Sequence, residues 1–463
     1  MNAATRRDFR MLWLGETVSA VGTGITGVAL PLIAVVRLHA GPLTVGVLIA
    51  ASWLPWLLIG LPAGAWVDRL ARRPLMLLCD LASFVLFASV PVAAALGVLT
   101  TAHLLIVALL AGCATVFFRT AYQVYLPSLV PAEDLLAANT RLIGSESAAQ
   151  VAGPGVGGLV AQLFGAVGGV FVDALTYLVS AVCLYSIRTP EPQPVHTLEP
   201  ESLRRQIADG MRFVRRDPFL LSLTVAGAAS NIALTGIQAV QVIFLVRVVG
   251  LTQGSVGGII AVISLGGVMG ALAARRISLR FGTARGFLLS ELVGMPFALL
   301  LPFGGPGVRL GIYAVGAAVV GAGVVAGNVI KGSFRQAYCP PELLGRITSC
   351  MQFVNLGAIP VGALAGGLLG AAIGARNTLW VMALLLVCTS WLLLIGPMRR
   401  TRDFPAQPVS AAGGQVVETF ASPAAASTAR SSVPAWIDPA PYRLRCLTSS
   451  RCATRDRVKL TAT

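Results

Sequence analysis

Five carboxylic acids lie inside long apolar runs: Glu16, Asp80, Glu146, Asp173 and Glu291. An ionisable group in such a stretch is costly to place, so it marks function by default. A carboxyl group is charged in water and neutral once protonated, so any of these acids can trade a proton for a solute. Their depth leaves a second reading open. Glu16, Asp80, Glu146 and Glu291 each sit five or six residues past the start of their run, only ~8 Å along a helix axis. Four acids in one shallow layer also suit an inner gate, paired with Arg119 and nearby loop arginines, while Asp173 lies near the opposite end.

Other chemistry is scarce. The chain has no GxxxxGK[ST] phosphate loop and no Ser/His/Asp or Cys/His constellation. His39, His103 and His196 fall in loops or a linker, and the eight cysteines form no CxxC pair and no metal-ligand spacing. An enzyme is not expected, nor a cofactor or metal. The driving force expected is an ion gradient.

Those acids must be held by elements that lie in lipid. Apolar residues make up 56% of the 463 and charged residues 12%, and the mean hydropathy is +0.80. A soluble domain carries about 25% charged residues. The net charge of +16 could suggest nucleic acid. Its basic residues instead sit in short clusters between apolar runs, the pattern that orients a membrane protein.

A spanning helix needs about 20 apolar residues. Candidates cover 11–36, 43–66, 74–97, 101–122, 141–164 and 168–187, then 218–246, 253–273, 285–303, 308–330, 346–372 and 376–398. The fold class expected is an all-α integral membrane protein of 12 transmembrane helices. If the N-terminus is inside, every arginine cluster is inside, and Arg37, Arg247, Arg309 and Arg376 are the basic residues outside. That places both termini in the cytoplasm and the chain in a cell (inner) membrane. No signal peptide is expected.

The domains expected are an N-terminal six-helix bundle over 1–188, a cytoplasmic linker over 189–217, a C-terminal six-helix bundle over 218–398 and a disordered cytoplasmic tail over 399–463. Within the linker, Leu203, Ile207, Met211 and Val214 share one helical face with arginines elsewhere, as on a helix at an anionic lipid surface. The halves echo each other at an offset of 209: Gly153, Gly157, Gly158 and Gly165 meet Gly362, Gly366, Gly367 and Gly374. Parallel six-helix repeats with a site between them describe a secondary transporter.

The turn between the second and third runs reads "GAWVDRLARRP", Gly64 to Pro74. Gly64, Asp68, Arg69, Arg72 and Arg73 resemble the loop signature of the major facilitator superfamily, over about residues 1–400. The resemblance implies two pseudo-symmetric bundles and a latch that holds their inner ends together when the outside is open. For the arginines, setting orientation alone is the other reading. Gly64 is expected to let two helices approach. The second half carries "GALAARR" from Gly270, with Ala274 where Asp68 stands, so the latch is expected to be one-sided.

Gly153, Pro154, Gly157 and Gly158 resemble the fifth-helix motif of antiporters in that superfamily, with Ala149 in place of its first glycine; a tight helix crossing is the bland alternative. Proline is expected to kink that helix. "LPSLVPAEDLLAAN" and "FRQAYCPPELLGRI" are similar to exporters of macrolides and enterobactin. By the same analogy the first helix of each bundle lines the cavity, which makes Glu16 the preferred proton-coupling residue, with Glu146 second. Thr23, Thr26, Asn231, Gln238, Gln241 and Asn328 are cavity candidates by that analogy; bonding to the backbone or to another helix is the other reading of each. The function expected is export of an apolar or neutral drug-like compound, natural product or siderophore by proton antiport. An importer or lipid carrier, or a non-transporting scaffold, are the alternatives. Expected partners are that solute, the proton and membrane lipid, with no nucleic acid, and the chain is expected to act as a monomer.

Overall fold

The computed structural model describes residues 3–67, 70–189, 203–339 and 341–405. In lipid every backbone polar group must be bonded within the chain, and a helix does this locally. The first half comprises α1 (Ala3–Val36), α2 (Pro42–Leu58), α3 (Gly60–Val67), α4 (Arg72–Ala95), α5 (Thr101–Leu129) and α6 (Ala132–Tyr185). Then come α7 (Leu203–Arg216), α8 (Pro218–Ile243), α9 (Gln253–Phe281), α10 (Thr283–Gly294), α11 (Val308–Tyr338), α12 (Pro341–Ile373) and α13 (Ala375–Leu392). A π-helical turn, Phe244–Val248, extends α8, and a 3-10 stretch, Met295–Phe303, extends α10.

Ten described helices are long and apolar enough to cross a membrane. Two features separate this number from the twelve runs. Pro55 lies in the second run, which splits after Leu58 into α2 and α3 and leaves a 17-residue helix. The fifth and sixth runs are continuous as α6, broken only at Gly165, whose φ of 75° lies in the left-handed region that glycine tolerates. Pro154 sits within α6 without a break in helical dihedrals, and Gly165 marks the junction of the fifth and sixth runs.

The recurring glycines make equivalent contacts. A Cβ on Gly153 would lie 3.2 Å from Gly24 Cα, and one on Gly157 would lie 2.7 Å from Ile25 Cα, both on α1. Their counterparts Gly362 and Gly366 press on Ile232 and Gly236 of α8. Gly158 meets the backbone of Gly257 on α9, while Gly367 meets Gly46 on α2, with 3.2 Å from a Gly367 Cβ to Gly46 Cα. In each half the first two glycines abut that half's first helix, and the third abuts the second helix of the other half. Only residues without side chains let backbones approach this closely.

Three apolar cores follow. The largest draws on both halves, with Ile33, Val45, Leu104 and Val170 joined to Val240, Val256, Tyr313 and Leu379. It fills the end away from the arginine clusters. Toward the arginine-rich end, one core contains first-half residues such as Phe9, Met76, Tyr125 and Ile187. The other contains Phe219, Phe287, Phe334 and Met398 from the second half, with Phe213 and Val214 of α7. Val214, expected on a face turned to a lipid surface, is buried in this core together with Phe213, which lies off that face; the side chains of Leu203 and Ile207 lie outside the described set.

Packing in the second half runs past residue 398, after which the tail was expected to begin. Thr283 N and Oγ1 donate to Asp403 Oδ1 at 2.8 and 3.4 Å, and Arg285 N donates to Arg402 O at 3.2 Å. Phe404 stacks on Phe334 at 4.1 Å between centroids and sits beside Phe219 and Phe287. Helix α9 continues to Phe281, so the turn equivalent to "GAWVDRLARRP" comes at Gly282–Thr283. The acid missing at Ala274 is supplied to that turn from Asp403, a carboxylate at a helix N-terminus. A stop after Arg400 should therefore lower the melting temperature by several degrees relative to a stop after Pro405, which leaves these contacts intact. Removing a packed phenylalanine costs roughly 3 kcal/mol or more when fully buried and less at this half-buried site. Thermal unfolding in detergent reads the difference.

Candidate functional site

Three helices of the first half converge on Arg119 of α5. Its guanidinium donates to Glu146 Oε1 of α6 at 2.5 Å and lies 3.8 Å from Glu16 Oε1 of α1. Gln150 adds a 3.3 Å bond to the same Glu146 oxygen, and Trp13 Nε1 donates to Ser145 Oγ at 3.1 Å, fastening α1 to α6 beside the cluster. Two carboxylates share one cation, so the group holds one excess negative charge when both acids are ionised. Arg119 is a charge in an apolar run, the available sign of its role; the sequence places it near the run's end because α5 continues seven residues past the expected limit of 122.

Helix α1 starts at Ala3 and α6 at Ala132, so both run back beyond the apolar stretches that hold Glu16 and Glu146. Three of the four acids expected in one layer stay grouped in the first half, with Arg119 between Glu16 and Glu146. Asp80 of α4 is buried, accepts a hydrogen bond from Ser180 and lies within electrostatic reach of Glu16, and its Oδ2 meets no donor among the described residues. Glu291 stands in the other half, with Oε1 3.0 Å from where a Gly327 Cβ would be. Lys331, one turn on, is its nearest basic neighbour. Lys331 counts among the orientation charges in the sequence; α11 extends to Tyr338 and places it inside a helix.

Asp173 is fully buried, with Thr26 Oγ1 donating to Oδ2 and Thr176 Oγ1 to Oδ1 at 3.2 Å. Thr26 is therefore a partner of Asp173 rather than a cavity group. Thr23 is exposed, donates to Ser19 O at 3.1 Å and lies 3.4 Å from Tyr177 Oη. Asn231 donates to Asn355 O at 3.0 Å, a helix-to-helix bond between α8 and α12. Gln241 lies beside the Tyr313 hydroxyl, whereas Gln238 and Asn328 are exposed.

Of the loop signature, Asp68 and Arg69 lie outside the described residues. Gly64 is within α3, and a Cβ there would meet nothing within 4 Å; the close helix approach expected of it is made by the fifth-helix glycines instead. Arg73 donates to Leu184 O at 3.0 Å and Tyr185 O at 2.8 Å, binding the carbonyl end of α6. A cation on a helix C-terminus is favourable. Arg73 thus ties the second-to-third-helix turn to the end of α6, as Asp403 ties its counterpart to the end of the second bundle.

The family model described as Major Facilitator Superfamily matches residues 12–359. The multidrug efflux pump Tap of Mycolicibacterium fortuitum is 26% identical over 418 residues, 88% of this chain and 100% of that protein. The enterobactin exporter EntS of Shigella boydii serotype 4 is 25% identical over 426 residues, 87% of this chain and 95% of that one. Among solved structures, the nucleoside transporter NupG aligns with a TM-score of 0.67 at 11% identity, covering 87% of this chain and 100% of that one. A bacterial homolog of the lysosomal transporter Spinster, inward-facing and occupied, aligns at 0.64 with 16% identity, covering 87% and 98%. Their low identity makes them evidence of fold alone. Sequence, helices and fold agree: the chain is a multi-pass membrane protein belonging to the Major Facilitator Superfamily, a family of transporters.

Proposed function

We propose that the chain is a secondary active exporter of twelve spanning segments in two six-helix bundles, moving a drug-like compound, natural product or siderophore out of the cell against entering protons. The observation that carries this reading is the Glu16–Arg119–Glu146 group, where one cation is held by two acids from different helices. A proton on either acid frees Arg119 to bind the other alone, so protonation changes which helices are tied together. Counting α2 with α3 as one span, and α6 as two spans meeting at Gly165, makes twelve. Both termini and the arginine clusters are placed in the cytoplasm by the positive-inside rule.

The apolar cores supply the conformational part. One core joins the halves at the outer end, while each half has its own core at the inner end. This is the arrangement of a transporter closed outward and open inward. In this state the latch around Asp68 is expected to be disengaged. Two relatives named as an efflux pump and an exporter support the direction.

Everted membrane vesicles should accumulate a fluorescent dye under an imposed proton gradient. Glu16→Gln is expected to cut that accumulation at least tenfold, and Asp68→Asn to cut it severalfold. Wild-type rates in both variants would remove these residues from coupling and latch. Uncoupler-sensitive uptake into intact cells would reverse the direction.

A further inference from the structure

Helix α11 presents one face to the centre of the molecule. Tyr313 and Ala317 enter the core shared by the two halves, and Leu310 packs against it. Asn328, Lys331 and Arg335 each lie 18 residues beyond one of these, about five full turns at 3.6 residues per turn. They therefore continue the same central face into the arginine-rich end, where the shared core gives out. Asn328 is exposed, and Lys331 and Arg335 are half-buried. The face borders open space: a Cβ on Gly332, beside Lys331, would meet nothing within 4 Å.

The charges on this face are not cancelled. Among the described residues neither Lys331 nor Arg335 forms an ion pair. The acid nearest Lys331 is Glu291, tucked between α10 and α11 against Gly327 and therefore one turn toward the shared core. Two cations against one acid leave the second-half wall net positive. The wall contributed by the first half, with Glu16, Glu146 and Arg119, is net negative. An inward-open cleft thus has a cationic side that orientation alone does not require, because these residues stand within a helix and not in a loop.

We propose that Asn328, Lys331 and Arg335 bind an acidic group of the transported solute, a carboxylate or comparable anionic oxygen group. Arginine offers a planar fork to two such oxygens, lysine a mobile point charge, and asparagine a neutral donor that fixes orientation. This rests on the transport reading above, and it replaces the expectation of a purely apolar or neutral solute with that of a bulky apolar body carrying an acid. The wall also divides the labour: the first half handles the proton and the second half the anion.

The test is equilibrium binding to the full-length protein in detergent, using one boron-dipyrromethene dye as its carboxylate and as its uncharged amide. Wild type is expected to bind the carboxylate at least tenfold more tightly. Lys331→Gln with Arg335→Gln should abolish that preference, with most of the loss falling on the carboxylate dye. Lys331→Arg should retain it, which separates charge from packing. No preference in wild type, a preference that survives the double substitution, or equal loss for both dyes would overturn the proposal. Dye flux in vesicles is a separate readout: an intact preference without export would remove the exporter reading and leave the anion site standing.

Discussion

Gly158→Leu is expected to arrest transport in a protein that still folds. Gly158 and Gly257 bring the backbones of α6 and α9 into contact across the two halves, and a Cβ at either position collides with the other's carbonyl. A backbone carbonyl within a helix cannot swing aside as a flexible side chain can. Overpacking of this kind costs typically 1–3 kcal/mol. Here the cost falls only on the outward-closed state, because separating the halves relieves it. At about 1.4 kcal/mol per tenfold change, the equilibrium should shift roughly five- to 150-fold toward outward-open forms. Spin labels at Val98→Cys and Val308→Cys, in a background with the native cysteines replaced, report the outer separation by pulsed electron resonance. The distance should lengthen and the flux fall below a tenth of wild type. Gly367→Leu, against Gly46 and Pro42 in the repeat-equivalent contact, should do the same. Unchanged distances with unchanged flux in both variants would show that these contacts do not limit the cycle.

Arg119→Gln should be the most damaging substitution in the first half. It leaves Glu16 and Glu146 close together without their shared cation. Removing one partner of a buried ion pair costs about 3–5 kcal/mol when the remaining charge stays buried. The lower end applies here, since the Arg119 and Glu146 side chains are 29% and 30% exposed. Proton-driven dye accumulation should fall at least tenfold, and the melting temperature should drop. Arg119→Lys should recover most of the stability but not the flux, because a single ammonium lacks the planar fork that reaches two carboxylates in different directions. Full activity in Arg119→Lys would mean that charge alone matters there. Full activity in Arg119→Gln would remove the cluster from the mechanism.

Much of the architecture is written in local pattern. Apolar run length marks the spanning segments, since nothing but a helix satisfies its own backbone in lipid. The glycines at an offset of 209 disclose the repeat, because a close backbone approach admits no other residue. The acids in apolar runs are visible for the same reason that they are costly. Boundaries are less legible: helices α1, α5, α6 and α11 extend beyond the apolar stretches, as their polar ends leave the lipid and continue as ordinary helix.

Which charges meet is not written locally. Arg119 of α5 joins Glu16, on the first helix of that half, to Glu146, 27 residues further on. Lys331 looks like one more orientation charge until α11 is seen to run past it. Asp403 and Phe404 fall in a stretch whose composition resembles a tail, yet they pack against α8, α10 and α11. Sequence by itself determined the helical membrane class, the repeat and the candidate acids, because solvent and backbone sterics act residue by residue. Tertiary structure alone decided the partners of those acids, the apolar core that both halves share and the position of Lys331 and Arg335 within α11, because these depend on helix rotation and crossing, which no single segment encodes.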